Sequence, residues 1–413
     1  MNVHRDPETG QWRMWYVSSG LFTAGVLRYA PNYLCYATSS DGLAWERPQL
    51  GLVEVAGSTA NNIVSEDSHL LAHGMLDCHD MRFVEPAEGR FKAAKWFGRG
   101  ADGLGGHGVM LSADGLRWEP HPGNPVVRAP NSGDSVSLAK LREGFFRHDP
   151  PGFPTAKYAM FPKLHVRLGA WRRRCVGVAT SDATRDRADG DWSEPSLVLA
   201  PDPQDDAVAE ERLAAARDVL LYDHPEDHRS EFYALLVQRV GDVLLGYLWV
   251  FEPAFECSRL GGGNQHGIVH VQLAASRDLI HWERIGGRRP ILDRGAPGSF
   301  DAAMIFYHSF PIPAGDEWRV YYAGFDTAHT PGPYLDPEVA ERWLAEVRAG
   351  RRQLPAIGLA TVRREGLVAR TAGPAGGTLI TRPLLAGGPE LAVNAEVAPG
   401  GRLTVEVQTL AGA

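Results

Sequence analysis

Three aspartates stand at the start of apolar runs, where carboxyl groups could be brought together for acid–base chemistry. Asp80 opens the run "DMRFV", Asp134 opens "DSVSLAKL", and Asp301 stands near the start of "FDAAMIFYH". Carboxyl groups that share a cleft acquire perturbed pKa values and can then act as acid or base. The alternative for any one of them is an aspartate that caps a turn or a strand end. The repetition favours a functional role for Asp80 and Asp134.

A second group of polar residues lies in the stretch "YDHPEDHRSE". Its metal-binding residue types are Asp223, His224, Asp227 and His228. Because this stretch joins two strands, we expect a solvated surface turn there and predict no metal site and no cofactor. Glu252 and Glu256, in "FEPAFECS", are weaker candidates for an acid supplied from a loop.

A repeated unit must position these residues, because three stretches of the sequence are nearly the same. "SSDGLAWERP", "SADGLRWEP" and "SRDLIHWER" each follow a strand with a turn and a tryptophan. A Pro/Gly/acidic turn followed by an aromatic-rich strand recurs as well, and it occurs five times. The marker aromatics of these strands are Trp12, Phe91, Tyr158, Tyr233 and Trp318. The chain therefore contains five repeated units.

Each unit holds up to four strands, because a small-residue strand follows the aromatic one and an apolar run precedes four of the five. Consecutive antiparallel meanders with little helix fit radial repetition, since each sheet can bury both faces against its neighbours. We therefore predict an all-β fold, a five-bladed β-propeller over residues 1–372. The turn tryptophans are predicted to pack between blades. These are Trp45, Trp118, Trp192 and Trp282.

The two ends of the chain depart from this repeat. The first unit reaches Trp12 with almost nothing before it, so we expect its innermost strand to be missing and the chain to be a fragment. Near the other end, "PELAVNAEV" and "GRLTVEVQT" alternate as strands do. A lone hairpin is marginal in water, so we predict that a β-sandwich begins within residues 376–413.

Two helices are predicted to interrupt the strands. "LDPEVAERWLAEVRAG" has Asp336 as its N-cap, Pro337 at its first position and Gly350 at its end. The stretch "AVAEERLAAARD", residues 207–218, predicts a shorter helix between the third and fourth units.

Composition limits the possible partners. The 413 residues carry a formal charge of −8, and the basic residues are scattered except for Arg172, Arg173 and Arg174, so we predict no nucleic-acid binding. The four cysteines show no C-x-x-C spacing and are expected to be buried free thiols. No window approaches 18 uninterrupted apolar residues and the N-terminus has no apolar signal-peptide core, so we predict a soluble chain without membrane contact.

The repeated S-x-D-G-x-x-W turn, the phrase "LGLVEVAGSTANNIV" and the closing "GGTLITRPLLAGGPELAVNAEVAPGGRLTVEVQ" resemble the glycoside hydrolase family 32/43/68 superfamily. The resemblance implies a five-bladed propeller followed, in the family 32 branch, by a β-sandwich. It implies a carbohydrate substrate, cut at a terminal sugar by three acids in the central funnel. Such chemistry needs one ionised carboxylate and one that is held protonated.

The resemblance carries over to individual residues of this chain. Asp80 is similar to the acid that stabilises the transition state, and Arg82, on the same strand face, would orient it or a sugar hydroxyl. Asp134 stands where the general acid, a glutamate in the superfamily, would be expected, and Asp301 would be an accessory acid. The strand with the first-blade acid would precede Met1. Further candidates for sugar contacts are the imidazole of His329 and aromatic platforms at Trp96 and Trp171.

Three functions remain open from the sequence. The first is a glycoside-hydrolase-like enzyme that acts on small glycosides through Asp80, Asp134 and Asp301. The second is a glycoside phosphorylase, which would bind phosphate with clustered basic residues; the arginines at 172–174 form the one such cluster, but only alternate side chains of a strand share a face. The third is a carbohydrate-binding propeller without catalysis.

Overall fold

The structure is a computed structural model of the 413-residue chain, and the protein is mostly β. It describes residues 1–6, 8–19, 32–66, 82–83, 91–141, 152–181, 192–261, 263–307, 309–329, 337–351, 355–384 and 388–409.

The first half of the chain forms three antiparallel sheets, each built from consecutive strands. The first sheet contains β1 (Asn2–Arg5), β2 (Trp12–Ser19), β3 (Asn32–Ser39) and β4 (Ile63–Ser65). The second contains β5 (Arg82–Phe83), β6 (Phe91–Arg99), β7 (Gly105–Ser112), β8 (Glu119–Pro120) and β9 (Val127–Ala129). The third contains β10 (Ser132–Lys140), β11 (Tyr158–Leu168), β12 (Trp171–Ser181) and β13 (Ser196–Leu199).

The second half forms one eight-stranded sheet that divides into two groups of four strands. The first group is β14 (Glu231–Val240), β15 (Val243–Glu256), β16 (Gln265–Ser276) and β17 (Trp282–Pro290). The second group is β18 (Met304–Phe306), β19 (Ile312–Ala314), β20 (Glu317–Phe325) and β21 (Ala356–Arg363). A single parallel pairing, Val269 with Met304, joins the two groups.

These groups of strands follow the five predicted units, with one correction. The expectation that the first unit lacks its innermost strand is wrong, because β1 pairs with β2 in register from Asn2 opposite Trp15 to Arg5 opposite Trp12. Met1 and Val3 are buried, and their apolar side chains hold this short strand against the core. The count of five blades stays a prediction, since hydrogen bonding divides the strands into four sheets.

Apolar clusters join each group of strands to the next, and a fifth cluster joins the last group to the first. Their members include Trp15 with Phe91, Val109 with Val136, Val178 with Phe232, Trp249 with Phe306, and Trp12 with Tyr321. The same hydrogen bond recurs at two of these contacts: Trp15 Nε1 donates to the carbonyl of Gly115, and Tyr321 Oη donates to the carbonyl of Gly42, both at 2.6 Å.

The repeated S-x-D turns owe their shape to their own side chains. In the first, Asp41 Oδ1 accepts hydrogen bonds from the amides of Leu43 (2.7 Å) and Ala44 (2.9 Å), as in an Asx turn. The next residue, Gly42, has φ +75°, which glycine adopts without steric cost. The third copy has Leu279 in that conformation, at φ +72°.

The turn tryptophans pack as predicted. All four lie against the apolar clusters between neighbouring groups of strands: Trp45, Trp118, Trp192 and Trp282. Trp282 illustrates the arrangement, because its ring meets Phe161 of the preceding sheet at 6.1 Å while its Nε1 donates to the carbonyl of Leu279.

Both predicted helices form. The first, α1 (Pro203–Ala214), begins four residues earlier than its pattern predicted, because Asp202 and Asp205 form a capping box at its N-terminus. The second, α2, spans Pro337–Arg348, and its predicted cap Asp336 lies outside the described residues. Two short 3₁₀ helices span Pro225–Asp227 and Cys257–Leu260. Within the described ranges, neither α-helix is long and apolar enough to cross a membrane.

The two strands predicted near the C-terminus do not form in this structure. Residues 388–409 contain no helix or strand among the positions described there. Their alternating apolar side chains are exposed, from 46% at Val397 to 83% at Val407. The physical reason is that a hairpin with no second sheet beneath it gains too little burial to offset its ordering. The β-sandwich therefore stays a prediction.

Candidate functional site

Asp134 forms an ion pair with a buried lysine at the start of the third sheet. It lies near the N-terminal end of β10, and its carboxylate contacts the ammonium of Lys163 on the neighbouring strand β11. Lys163 Nζ also lies 4.3 Å from the ring centroid of Tyr233, a cation–π contact between sheets. Burial lowers the pKa of Lys163, and the charge of Asp134 opposes that shift.

The approach of Lys163 depends on a glycine. A Cβ atom on Gly133 would lie 2.5 Å from Lys163 Cε and 2.8 Å from His165 Cε1, closer than real Cβ contacts. The small residue before Asp134 therefore leaves the space that the lysine side chain fills.

A second ion pair joins the third sheet to the fourth group of strands. Glu231 is the first residue of β14 and is only 1% exposed, and its carboxylate contacts Arg174 of β12. Arg229 Nε donates to the other carboxylate oxygen at 2.8 Å. Burial opposes ionisation of Glu231, yet Arg174 and Arg229 together hold its pKa below the usual value. Glu231 is therefore a carboxylate ion at neutral pH.

His329 completes the polar contacts around Tyr233. Its Nδ1 lies 2.9 Å from the carbonyl of Gln265, which fixes that nitrogen as a donor and leaves Nε2 to accept from Tyr233 Oη at 3.3 Å. Arg174 reaches the same loop, where its Nη2 donates to Gln265 Oε1 at 2.8 Å. Burial, and then the charge of Arg174, lower the pKa of His329 to about 4, so the imidazole is neutral at pH 7.

We call these six residues the strand-head cluster: Asp134, Lys163, Arg174, Glu231, Tyr233 and His329. Exposure distinguishes its charged members. The side chain of Asp134 is 18% exposed, whereas those of Lys163, Arg174 and Glu231 are at most 9% exposed. A ligand that reached the cluster would therefore meet the Asp134 carboxylate first, with buried positive charge behind it.

The other predicted acids are not brought into this cluster by any contact within the described residues. Asp80 lies outside those residues, and Arg82 is described only as a strand residue opposite Lys92 in β5. Asp301 is 8% exposed and accepts hydrogen bonds from Ser299 Oγ at 2.7 Å and Tyr322 Oη at 2.9 Å. Both of these partners belong to the last part of the repeat, on either side of β18.

The two predicted aromatic platforms are covered by neighbours. Trp96 is 8% exposed and its ring packs 4.9 Å from that of His107. Trp171 is half-buried, and the guanidinium of Arg229 lies 4.3 Å from its ring centroid. One face of Trp171 is therefore used by a cation rather than left open for a sugar ring.

The prediction of a solvated turn at residues 223–228 is wrong in part. Asp227 is fully buried, and both its oxygens accept hydrogen bonds from Arg259 at 2.8 Å. His228 is also largely buried and lies 2.6 Å from Asp223. The charged arginine satisfies the buried aspartate, so the turn folds inward. Within the described residues, no group of three or more metal-ligating side chains is found there or elsewhere.

The glutamates considered as loop acids lie in β15 and are paired. Glu252 is fully buried against Arg212 of α1, and burial raises its pKa to about 7. Glu256 contacts Arg229. The expected alternation of the arginine run is confirmed, because Arg173 binds Asp206 at 2.7 Å while Arg174 binds Glu231.

Glu231 is the functional candidate that the sequence reasoning missed. Its signal was present, because "SEFYALL" begins with an acid ahead of an apolar run, as "DSVSLAKL" does. The aspartates and histidines just upstream favoured an interpretation centred on the turn instead.

No protein-family model matches this chain, and no curated protein does. Distant similarities to solved structures cover most of it. A complex of BT0996 with RGII is 14% identical, with 92% of this protein and 89% of the other covered and a TM-score of 0.46. A β-1,2-mannobiose phosphorylase from Listeria innocua, in complex with β-1,2-mannobiose, is 15% identical over 74% of this protein and 67% of the other, with a TM-score of 0.41.

A GH32 β-fructofuranosidase from Bombyx mori is 9% identical, with 76% of this protein and 53% of the other covered and a TM-score of 0.39. The structural neighbours are thus glycoside hydrolases and glycoside phosphorylases. Similarity at this level does not by itself assign an activity to the chain.

Proposed function

We propose that this protein is a carbohydrate-active enzyme that cleaves terminal sugars from small glycosides or oligosaccharides, with Asp134 as the carboxyl group that meets the substrate. The supporting observation is the strand-head cluster, in which a partly exposed carboxylate lies over buried, fully paired charges. We further propose a five-bladed propeller over residues 1–372, with the start of a β-sandwich over 376–413.

Glycoside cleavage uses two carboxyl groups in different protonation states. Glu231 is unsuited to donate a proton, because two arginines keep it ionised. We assign the general-acid role to Asp134, with Lys163 as its proton-exchanging neighbour, and assign transition-state stabilisation to Asp80 and an accessory role to Asp301. Neutral His329 and Arg82 would bind sugar hydroxyls.

A phosphorylase is the second candidate, and the positive charge of the cluster favours it. Lys163, Arg174 and Arg229 lie close together beside Asp134, and such cations bind phosphate oxygens. Inorganic phosphate would then replace water as the attacking group. Each of these cations is also paired with a carboxylate, which weakens this candidate. The third alternative, sugar binding without catalysis, needs no proton donor at all.

The first test is turnover of nitrophenyl arabinofuranoside, xyloside, mannoside and fructoside, each with and without inorganic phosphate. The test variant is Asp134→Asn, and the matched control is Asp102→Asn, which removes a surface aspartate paired with Arg128 at 2.6 Å. We expect Asp134→Asn to lower kcat about 100-fold or more, the usual loss for a general acid, and the control to be unchanged.

The outcomes separate the candidates. Hydrolysis that is independent of phosphate and lost in Asp134→Asn supports a hydrolase. Release that requires phosphate and yields a sugar phosphate supports a phosphorylase. Sugar binding without turnover in the wild-type protein, unchanged in Asp134→Asn, would leave the non-catalytic role. Full activity in Asp134→Asn would contradict the role assigned to Asp134.

A further inference from the structure

Helix α1 contacts residues next to both members of the Arg174–Glu231 pair of the strand-head cluster. Its residue Asp206 accepts two hydrogen bonds from Arg173 Nη1, at 2.7 and 2.9 Å. The same carboxylate accepts a third from the amide of Ser230, at 2.9 Å. Ser230 Oγ in turn donates to the carbonyl of Asp205 at 3.0 Å. One turn of helix thus holds residues of two different strand groups.

The two residues held by Asp206 each precede a member of the cluster. Arg173 precedes Arg174 in β12, and Ser230 precedes Glu231 at the start of β14. Successive side chains of a strand point to opposite faces, so fixing Arg173 on one face directs Arg174 toward the other. Asp206 itself is 33% exposed and touches no member of the cluster directly in the contacts described for it.

The rest of α1 is fixed independently of Asp206. Asp205 contacts Arg284 and Arg288, and Asp202 contacts Arg288 through both carboxylate oxygens. At the other end, Arg212 pairs with Glu252 and Leu213 is buried in the core. Removing the Asp206 carboxylate should therefore leave the helix in place and loosen only the two contacts it makes.

We propose that Asp206 is a positioning residue, which sets the spacing between β12 and the start of β14 so that Arg174 meets Glu231. Through Arg174 it controls the electrostatic environment of the cluster. The effect on turnover rests on the proposed function, whereas the effect on the position of Arg174 does not.

The experiment compares Asp206→Asn and Asp206→Ala with the control Asp242→Asn, which removes an exposed aspartate paired with Arg277 at 2.7 Å. The reporter is the NMR titration of the His329 imidazole in the full chain, assigned by loss of its signals in His329→Gln. Because the charge of Arg174 contributes to the lowered pKa of His329, displacement of Arg174 should raise the midpoint of that titration. A merely structural loss of stability would leave the midpoint of the folded protein unchanged.

We expect a raised His329 midpoint in both Asp206 variants, larger in Asp206→Ala because the asparagine can still accept from Ser230. The control should match the wild type. On a glycoside that the wild type turns over, kcat/KM should fall about tenfold in Asp206→Ala, as for other displacements of positioned groups. An unchanged His329 midpoint in Asp206→Ala would overturn the proposal. Absence of wild-type turnover would contradict the proposed function alone, since the titration would still report on Arg174.

Discussion

His107 makes the stability of the protein depend on pH through a buried neutral imidazole. It lies in β7 with its side chain fully buried against Trp96, and within the described residues neither ring nitrogen has a hydrogen-bond partner. Burial, opposed by the charge of Asp134, lowers the pKa of His107 to about 3. In the unfolded chain a histidine titrates near 6.5.

The sign and size of the effect follow from these two values. Between pH 6.5 and 3 the unfolded chain binds a proton at His107 that the folded protein does not, so acidification favours unfolding. For a pKa of about 3 in the folded state and about 6.5 in the unfolded state, lowering the pH from 7 to 5 should cost about 2 kcal/mol of unfolding free energy. Below the folded value the cost levels off.

The assay is urea unfolding of the wild type and His107→Phe at pH 7 and pH 5. The phenylalanine keeps a ring beside Trp96 and removes both unpaired nitrogens. We expect the wild type to lose about 2 kcal/mol more than the variant between the two pH values. Glu252, whose raised pKa of about 7 acts in the opposite direction over this range, contributes equally to both proteins and cancels in the comparison.

The control is His281→Phe, which removes a histidine whose side chain is 87% exposed. It should lose the same free energy as the wild type on acidification. If His107→Phe also lost as much as the wild type, the imidazole would not be buried as a neutral group and the reasoning would be refuted.

Three other substitutions test the packing. Tyr321→Phe removes the hydrogen bond to Gly42 and should lower the unfolding free energy by about 1 kcal/mol, measured by urea unfolding. Glu231→Gln leaves two buried arginines without their counter-ion and should cost about 3 kcal/mol or more in the same measurement; a neutral result would refute the burial of the pair. Gly133→Ala should displace Lys163 and reduce turnover with little change in melting temperature, and wild-type kinetics would contradict the close approach.

Local patterns in the sequence were sufficient for most of the strands and for both helices. The helix at Pro337–Arg348 follows from its capping and periodicity, and the turn tryptophans follow from a repeat that places them identically. The helix at Pro203–Ala214 was displaced in prediction because its cap, Asp202, also binds Arg288, a partner far away in sequence.

The candidate site was harder to predict because its contacts join distant parts of the chain. Arg174 and Glu231 are separated by 57 residues, and no local pattern specifies that they pair. Trp171 has the residue type of a sugar platform, but Arg229, which covers one face, comes from another strand group. The strand-head position of Glu231 was available from the repeat, whereas its ionisation depends on arginines that only the fold brings near.

The contact between the first and last groups of strands also bears on the order of folding. Tyr321 and Gly42 are 279 residues apart, and the amide of Val3 donates to Ser309 Oγ across 306 residues. Contacts of such high sequence separation carry a large loop-closure entropy and form slowly, so neighbouring meanders should assemble before the first meets the last. In the native protein the same contact should open before the central strands do, and the amide of Val3 should exchange with solvent deuterium sooner than those of β14.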